Sequence, residues 1–249
     1  MTDKRPVVLL TGLGRQVGIA AGIAEKLASD GWDIAFVYSS RYDTEINEGA
    51  GNILQIVEHL DSLGAETIAI EADLGDPDVT AGVFDVAETL GPVTALVLSH
   101  AHSTSAGVLD ATIESFDRHF AVNTRASWLL IRELARRIDD RPARILALTS
   151  DAIHNEIAYG ASKGALDRIV FAAAREFGAR GITANLVNPG PIDTGWMTDD
   201  VRDILLARTP AGRLGTPADT AALVAFLLSA DGGWITGQLL RSDGGFGAP

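Results

Sequence analysis

The sequence predicts an α/β fold in which one doubly wound parallel sheet of seven strands carries helices on both faces. Short β-rich runs alternate with longer helical patterns along the whole chain, the order produced when each strand is followed by a crossover helix. Most of the short runs are nearly continuous in apolar residues, as strands covered on both faces require. No linker, internal repeat or low-complexity stretch divides the 249 residues, a length that one large core accommodates, so a single domain over 1–249 is expected.

Strands are expected over 7–11, 33–38, 67–71, 95–99, 144–149, 183–187 and 238–241. Helices are expected over 17–29, 52–63, 79–90, 113–138, 158–180 and 217–229. Gly31, Gly64 and Gly181 follow helical patterns, at the position where a left-handed residue closes a helix. The stretch 189–213 breaks the alternation. It holds Pro-Gly-Pro and a short amphipathic piece over 201–206, with Asp199 and Asp200 placed to open a short helix. An insertion of this kind reads as a substrate lid or binding loop.

Composition excludes several function classes. With 20 Lys+Arg against 33 Asp+Glu the net charge is −13, the opposite of a nucleic-acid or anionic-membrane footprint. Cysteine is absent, which removes disulfides, thiolate zinc sites and cysteine nucleophiles. No apolar run is long enough to span a bilayer. The N-terminal run ends at once in Thr11-Gly12 and reads as a buried strand rather than a signal peptide, so a cytoplasmic location is expected.

The first strand runs into Gly12-Leu13-Gly14-Arg15-Gln16-Val17-Gly18 and then a helix. A glycine turn between strand and helix brings backbone N–H groups and the positive end of the helix to a pyrophosphate. The spacing is wider than G-x-G-x-x-G. The second strand ends Tyr38-Ser39-Ser40-Arg41, with no carboxylate before Asp43. A carboxylate there would bind a ribose 2′-hydroxyl and repel a 2′-phosphate. Arg15 and Arg41 can instead flank a phosphate, with Ser39 and Ser40 as donors, which favours NADP(H) over NAD(H). Arg41 alone reads equally well as a solvated loop residue.

Tyr159 and Lys163 lie four apart at the start of a helical pattern and therefore share a face. An ammonium beside a phenol lowers its pKa from about 10 and suits it to exchange a proton with an alcohol or alkoxide. The pair follows the fifth strand, which ends in Thr149-Ser150. Ligands of open α/β sheets bind at such carboxyl ends.

Together these features resemble the short-chain dehydrogenase/reductase family, a Rossmann-type fold, and within it bacterial members of the 3-oxoacyl-acyl-carrier-protein reductase type. The matching pieces run from Thr11 to Gly245. They are Thr11-Gly12 with Arg15 and Gly18; Asp73-Leu74; Val122-Asn123; Ser150; Tyr159 with Lys163; Asn188-Pro189-Gly190 with Ile192 and Thr194; and Trp234-Ile235-Thr236-Gly237-Gln238 before Asp243-Gly244-Gly245. The resemblance implies that Tyr159 is the general acid/base and that Lys163 tunes it and holds the nicotinamide ribose. It implies that Ser150 hydrogen-bonds the substrate carbonyl and that Asn123 positions a water linking Lys163 to solvent. Asp73 and Leu74 would contact adenine, and Pro189, Gly190, Ile192 and Thr194 would hold the nicotinamide. It also implies a homotetramer built through the helices over 113–138 and 158–180 and the C-terminal strand; a dimer fits the sequence too.

Three places depart from the family pattern. Gln16 stands where glycine is usual and would bring a side chain towards the phosphates, with Gly14 freeing the turn. Ser99-His100-Ala101-His102 replaces the usual Asn-Asn-Ala-Gly that supports the central helix and the cofactor. The stretch from Ser150 to Tyr159 is short, which implies an altered substrate wall.

The remaining candidates read more plainly. His100 and His102 lack a third metal ligand, so structural or substrate-wall roles are expected rather than zinc. His119 reads as a helix-surface or interface residue and His154 as a solvated loop residue. Asp151 reads as a polar loop end or a contact to a charged substrate. Ser150 is not in a G-x-S-x-G turn, which argues against a hydrolase. The expected function is NADP(H)-dependent hydride transfer between nicotinamide and a ketone or secondary alcohol, a 3-oxoacyl thioester or a small ketone being the candidate substrate. The rivals are a nucleotide-binding regulatory or scaffold protein, which the departures at Gln16 and 99–102 would favour, and a non-redox member of the same family.

Overall fold

In the computed structural model, which describes residues 4–46, 51–139, 141–153, 155–195 and 197–248, seven parallel strands form one sheet. They are β1 (Val7–Thr11), β2 (Asp33–Tyr38), β3 (Thr67–Glu71), β4 (Val93–Leu98), β5 (Ala143–Leu148), β6 (Ile182–Asn188) and β7 (Leu239–Arg241), in the spatial order β3-β2-β1-β4-β5-β6-β7. The chain winds outward from β1 through β2 to β3, then crosses back to β4 on the other side of β1. The connections leaving the carboxyl ends of β1 and β4 thus run to opposite faces of the sheet around a crevice, the topological switch point where such sheets bind ligands.

Alternation along each strand sends side chains to opposite faces. Val7 and Leu9 join a core with Phe84 of α4 (Val79–Ala87), Leu130 of α6 (Ala126–Arg137) and Val170 of α7 (Ile157–Phe177). Val8 and Leu10 join a second core with Ile23 of α1 (Ile19–Ser29), Leu60 of α3 (Ile53–Ser62) and Val224 of α9 (Pro217–Leu228). α1 and α9 touch at Gly22, where a Cβ would lie 2.6 Å from the Pro217 side chain. Local signals set the helix starts. Asn52 caps α3 by accepting from Gln55 N at 3.2 Å, and Thr216 with Asp219 forms a capping box before Pro217.

Three expectations need correction. The helix read over 113–138 is α5 (Ile113–His119), a π-helical turn over Phe120–Arg125, and α6. Periodicity cannot show this, because the extra residue changes hydrogen bonding and leaves composition untouched. The stretch after β2, read as a strand end and loop, forms α2 (Ser40–Ile46). The helix read over 158–180 ends at Phe177 and continues as a 3₁₀ turn. The expected lid carries α8 (Asp199–Ala207), capped by Thr198 and with no fully buried side chain among its described residues. No helix among the described residues is long and apolar enough to cross a membrane.

Candidate active site

A cleft of about 330 Å³ opens at the carboxyl edge of the sheet, over the divergence of β1 and β4. Gly12, Gly14, Arg15 and Gly18 line one end, Asp73 and Leu74 a side, and Tyr159, Lys163, Pro189 and Thr194 the other end. Gly12 has φ +84, and a Cβ there would lie 2.8 Å from the His100 backbone, so both conformation and space demand glycine. α1 starts after Gly18, and no described side chain caps it. Its first N–H groups therefore face the cleft without side-chain partners, an arrangement suited to a phosphate.

Two of the departures from the family pattern resolve in space. Gln16 does not reach towards the cleft; its Nε2 donates to Gln55 Oε1 of α3 at 3.1 Å. Gly14 does not free the turn by a positive φ. Its missing Cβ admits the Asp43 carboxylate, which would lie 1.8 Å from such an atom, and its carbonyl accepts from Gly51 N at 3.1 Å. α2 thus brings buried Asp43 back onto the glycine loop, a contact no local sequence signal announces.

His100 takes over the support expected of the usual asparagine. It is buried at the switch point, with Nδ1 2.6 Å from Thr11 Oγ1 and Nε2 3.0 Å from the Val122 carbonyl in the π-helical turn. A carbonyl only accepts, so Nε2 carries the hydrogen and Nδ1 accepts from Thr11. Thr11 Oγ1 in turn accepts from Ser99 N at 3.2 Å. Burial, with the Lys163 charge next, pushes His100 down to about 3 and keeps it neutral.

Asn123 lies in the π-helical turn, fully buried. Its Nδ2 donates to His102 O and Ser162 Oγ, both at 2.9 Å, and its Oδ1 accepts from His102 N at 2.7 Å. Both side-chain N–H groups are engaged, so the side chain pins the segment after β4 to α7. His119 is not at the surface as expected. It is fully buried, with Nδ1 against Ser115 O at 2.7 Å and Nε2 accepting from Thr104 N at 3.1 Å. His102 stacks edge-on against it at 4.6 Å and lines the cleft. His154 lies outside the described residues.

At the far end, Ser150 and Tyr159 are joined through their side chains by a hydrogen bond. Lys163 Nζ lies 5.8 Å from the centre of the Tyr159 ring and donates to Leu148 O at 2.9 Å. The short loop before α7 folds over its first turn. Ala152 O sits 2.1 Å from where a Gly160 Cβ would be, and Ala152 N donates to Ser150 Oγ at 3.1 Å. Burial pushes the Tyr159 phenol up to about 12, nearby Glu156 acting the same way and Ser150 against them. Burial pushes Lys163 down to about 8. The phenol is therefore raised rather than lowered, because burial of the ring, with the Glu156 charge next, outweighs the Ser150 hydroxyl.

The other expected cofactor residues divide. Ser39 lines the cleft and accepts from Tyr42 N at 3.4 Å. Ser40 and Arg41 open α2 outside the cleft lining, and the charge of Arg41 reaches Asp73. Asp73 accepts from Gly75 N and from Arg118, each at 2.8 Å, and these hydrogen bonds hold its carboxyl below the usual range against the effect of burial. Gly190 packs on Asp243, and Ile192 packs its side chain against Gly215, so neither lines the cleft. Tyr42 and Arg118 line it without any sequence signal for them. Asp151 is paired with Arg241 of β7 at 2.6 Å.

A family model described as enoyl-(acyl carrier protein) reductase matches residues 12–247. The chain belongs to the short-chain dehydrogenase/reductase family. This oxidoreductase is 37% identical to the uncharacterised oxidoreductase YjdA of Bacillus subtilis, over 98% of each chain. Among solved structures it is similar to a blue fluorescent protein from a metagenomic library in complex with NADPH, at TM-score 0.87 and 34% identity over 98% of each chain. It is also similar to the angucycline C-6 ketoreductase LanV with bound NADP, at TM-score 0.86 and 30% identity over 97% of this chain and 95% of that one. The family relation accounts for a cleft that carries a phosphate-seeking helix end and a tyrosine–lysine pair together.

Proposed function

We propose that this short-chain dehydrogenase/reductase reduces a ketone to a secondary alcohol with NADPH. The observation that carries the reading is the pairing of Tyr159, with Ser150 against its hydroxyl, and Lys163 at one end of a cleft whose other end is an uncapped helix N-terminus behind a glycine turn. NADPH supplies hydride to the carbonyl carbon when bound. Gly12, Arg15 and Gly18 would hold its phosphates; Asp73 and Leu74 would flank adenine; Pro189 and Thr194 would flank nicotinamide. The NADPH and NADP complexes of the two structural relatives support the choice of cofactor, as does Arg15 in the lining.

The residues of the chain handle the proton. The Tyr159 phenol, held protonated, gives its proton to the carbonyl oxygen as charge develops there, and the Ser150 hydroxyl shares that charge by a hydrogen bond. Lys163 places a positive charge beside the pair. Asn123 is a positioning residue, fixing the segment around His102 to α7. The departures at Gln16 and at 99–102, which favoured a non-catalytic reading, lose their force, since Gln16 is turned away and His100 supplies the support. A homotetramer remains our proposed assembly, supported by Trp128 and Trp234, both exposed.

Parallel assays of a ketone panel with NADPH and NADH test the reading. NADPH oxidation that depends on ketone, faster than with NADH, is expected; binding of NADPH with no turnover on any ketone overturns it. The rate falls as pH rises through about 8, where the Lys163 ammonium loses its proton. Lys163→Arg, which stays charged, moves that limb of the pH–rate profile upward. Asp43→Asn tightens NADPH binding by about fivefold, roughly 1 kcal/mol, because the carboxylate against Gly14 repels a phosphate on the loop. A fluorescence titration of NADPH checks this.

A further inference from the structure

We infer that the substrate of this site is an uncharged ketone with a bulky apolar body, and that a carbonyl carried on an anionic phosphopantetheine carrier is disfavoured. This rests on the ketone-reducing reading above. Two independent features of the cleft mouth carry it.

The first is an apolar rim. Ala106 and Glu156 form an isolated parallel bridge, and Ile157 N donates to Ala106 O at 3.2 Å. The segment after β4 therefore runs beside the residues leading into α7, one turn before Tyr159. From these two neighbouring segments Val108, Leu109 and Ile153 project 80%, 95% and 86% exposed. Ile153 follows the Ala152 carbonyl that packs on Gly160, so it sits on the same short loop that presents Ser150. Large aliphatic side chains this exposed, carried on two bridged segments of which one holds Ser150 and leads into Tyr159, mark a surface that an apolar ligand removes from water.

The second is charge. Residues 103–117 and 150–162 contain carboxylates but no Lys and no Arg besides Lys163 next in line, whose ammonium is buried. Asp110 stands beside Gly107 on the Leu109 loop, and Glu156 lies close enough to act on Tyr159. Asp199 and Asp200 open α8 of the lid, where Arg202 is bound to Asp193 at 2.9 Å, Arg213 to Asp219 at 2.7 Å, and Arg208 lies over the Phe246 ring. Arg241 is bound to Asp151, and Arg118 to Asp73. A carrier bearing phosphates, or an acidic carrier protein, would approach these carboxylates on a chain of net charge −13 and be repelled. An uncharged ketone meets only the apolar rim.

The test uses the full chain with NADPH and four carbonyls: 2-tetralone, which is bulky and uncharged; butane-2,3-dione, which is small; acetoacetyl-N-acetylcysteamine, an uncharged thioester; and acetoacetyl-coenzyme A, the same acyl group on an anionic carrier. We expect kcat/KM for 2-tetralone to exceed that for the coenzyme A ester at least about tenfold. We expect the uncharged thioester to outrun the coenzyme A ester at low salt, with the gap closing as salt rises. Leu109→Asp and Ile153→Asp should each raise KM for 2-tetralone more than KM for butane-2,3-dione. A coenzyme A ester preferred over the uncharged thioester at low salt overturns the inference while leaving ketone reduction intact. So do Asp variants that change the mass of the assembly but move neither KM. No turnover of any of the four, with NADPH still bound, overturns the ketone-reducing reading itself.

Discussion

Tyr159→Phe lowers ketone turnover by about 10²- to 10⁴-fold, the usual worth of a positioned general acid, and leaves NADPH affinity unchanged. The substitution keeps the ring and its packing and removes only the hydroxyl. That hydroxyl is bonded to Ser150 and, with its pKa pushed up to about 12 by burial, carries its proton at neutral pH. Lys163 is not the expected donor, its ammonium being held by Leu148 O and standing 5.8 Å from the ring centre. Single-turnover rates of NADPH oxidation with saturating ketone, set beside a fluorescence titration of NADPH, separate the two effects. Turnover within a few-fold of the parent chain would show that the proton comes from elsewhere. Lost cofactor affinity with an unchanged chemical rate would make the phenol a cofactor ligand instead.

His100→Leu destabilises the fold by about 1–3 kcal/mol, because it strands the buried Val122 carbonyl, whereas Thr11 Oγ1 keeps Val97 O and Ser99 N as partners. His100→Asn recovers part of this by donating to that carbonyl. The pH dependence gives a sharper reading. The unfolded chain takes the imidazole proton near the usual 6.5, and the folded chain only near 3. Between these values the unfolded state binds more protons, so stability present above pH 6.5 is lost as pH falls towards 3. At pH 5 the loss from this one buried group is about 2 kcal/mol. The asparagine variant lacks it, so its unfolding free energy changes less between pH 7.5 and pH 5. Urea denaturation at the two pH values measures the difference. Equal changes in both chains would mean that His100 is not held neutral.

Much of the fold is legible because its signals are local. β1, β2 and β3 fall where continuous apolar runs put them, and α3 and α9 begin at the residues that cap them. α2 is not legible, since Ser40–Ile46 shows no apolar face of its own and follows the strand directly. The π-helical turn was missed because it keeps the helical composition on either side. In the site, the placing of Gly12, Gly18, Tyr159 and Lys163 on one cleft is legible, because it follows from residue type at a spacing. Gln16 and Gly14 escape a sequence reading for one reason. Each is decided by a partner distant in the chain: Gln55, and Gly51 with Asp43.

The sequence by itself determined the parallel sheet, the glycine turn opening α1, and the tyrosine–lysine face of α7, because strand burial, turn conformation and helical spacing depend on neighbours a few residues away. Only the tertiary structure decided that His100 bridges β1 to the π-helical turn, that Asp43 folds back onto Gly14, and that the Tyr159 phenol is raised rather than lowered. Those outcomes turn on burial and on which groups meet across the switch point, and a buried side chain takes its charge and its partners from the whole fold around it.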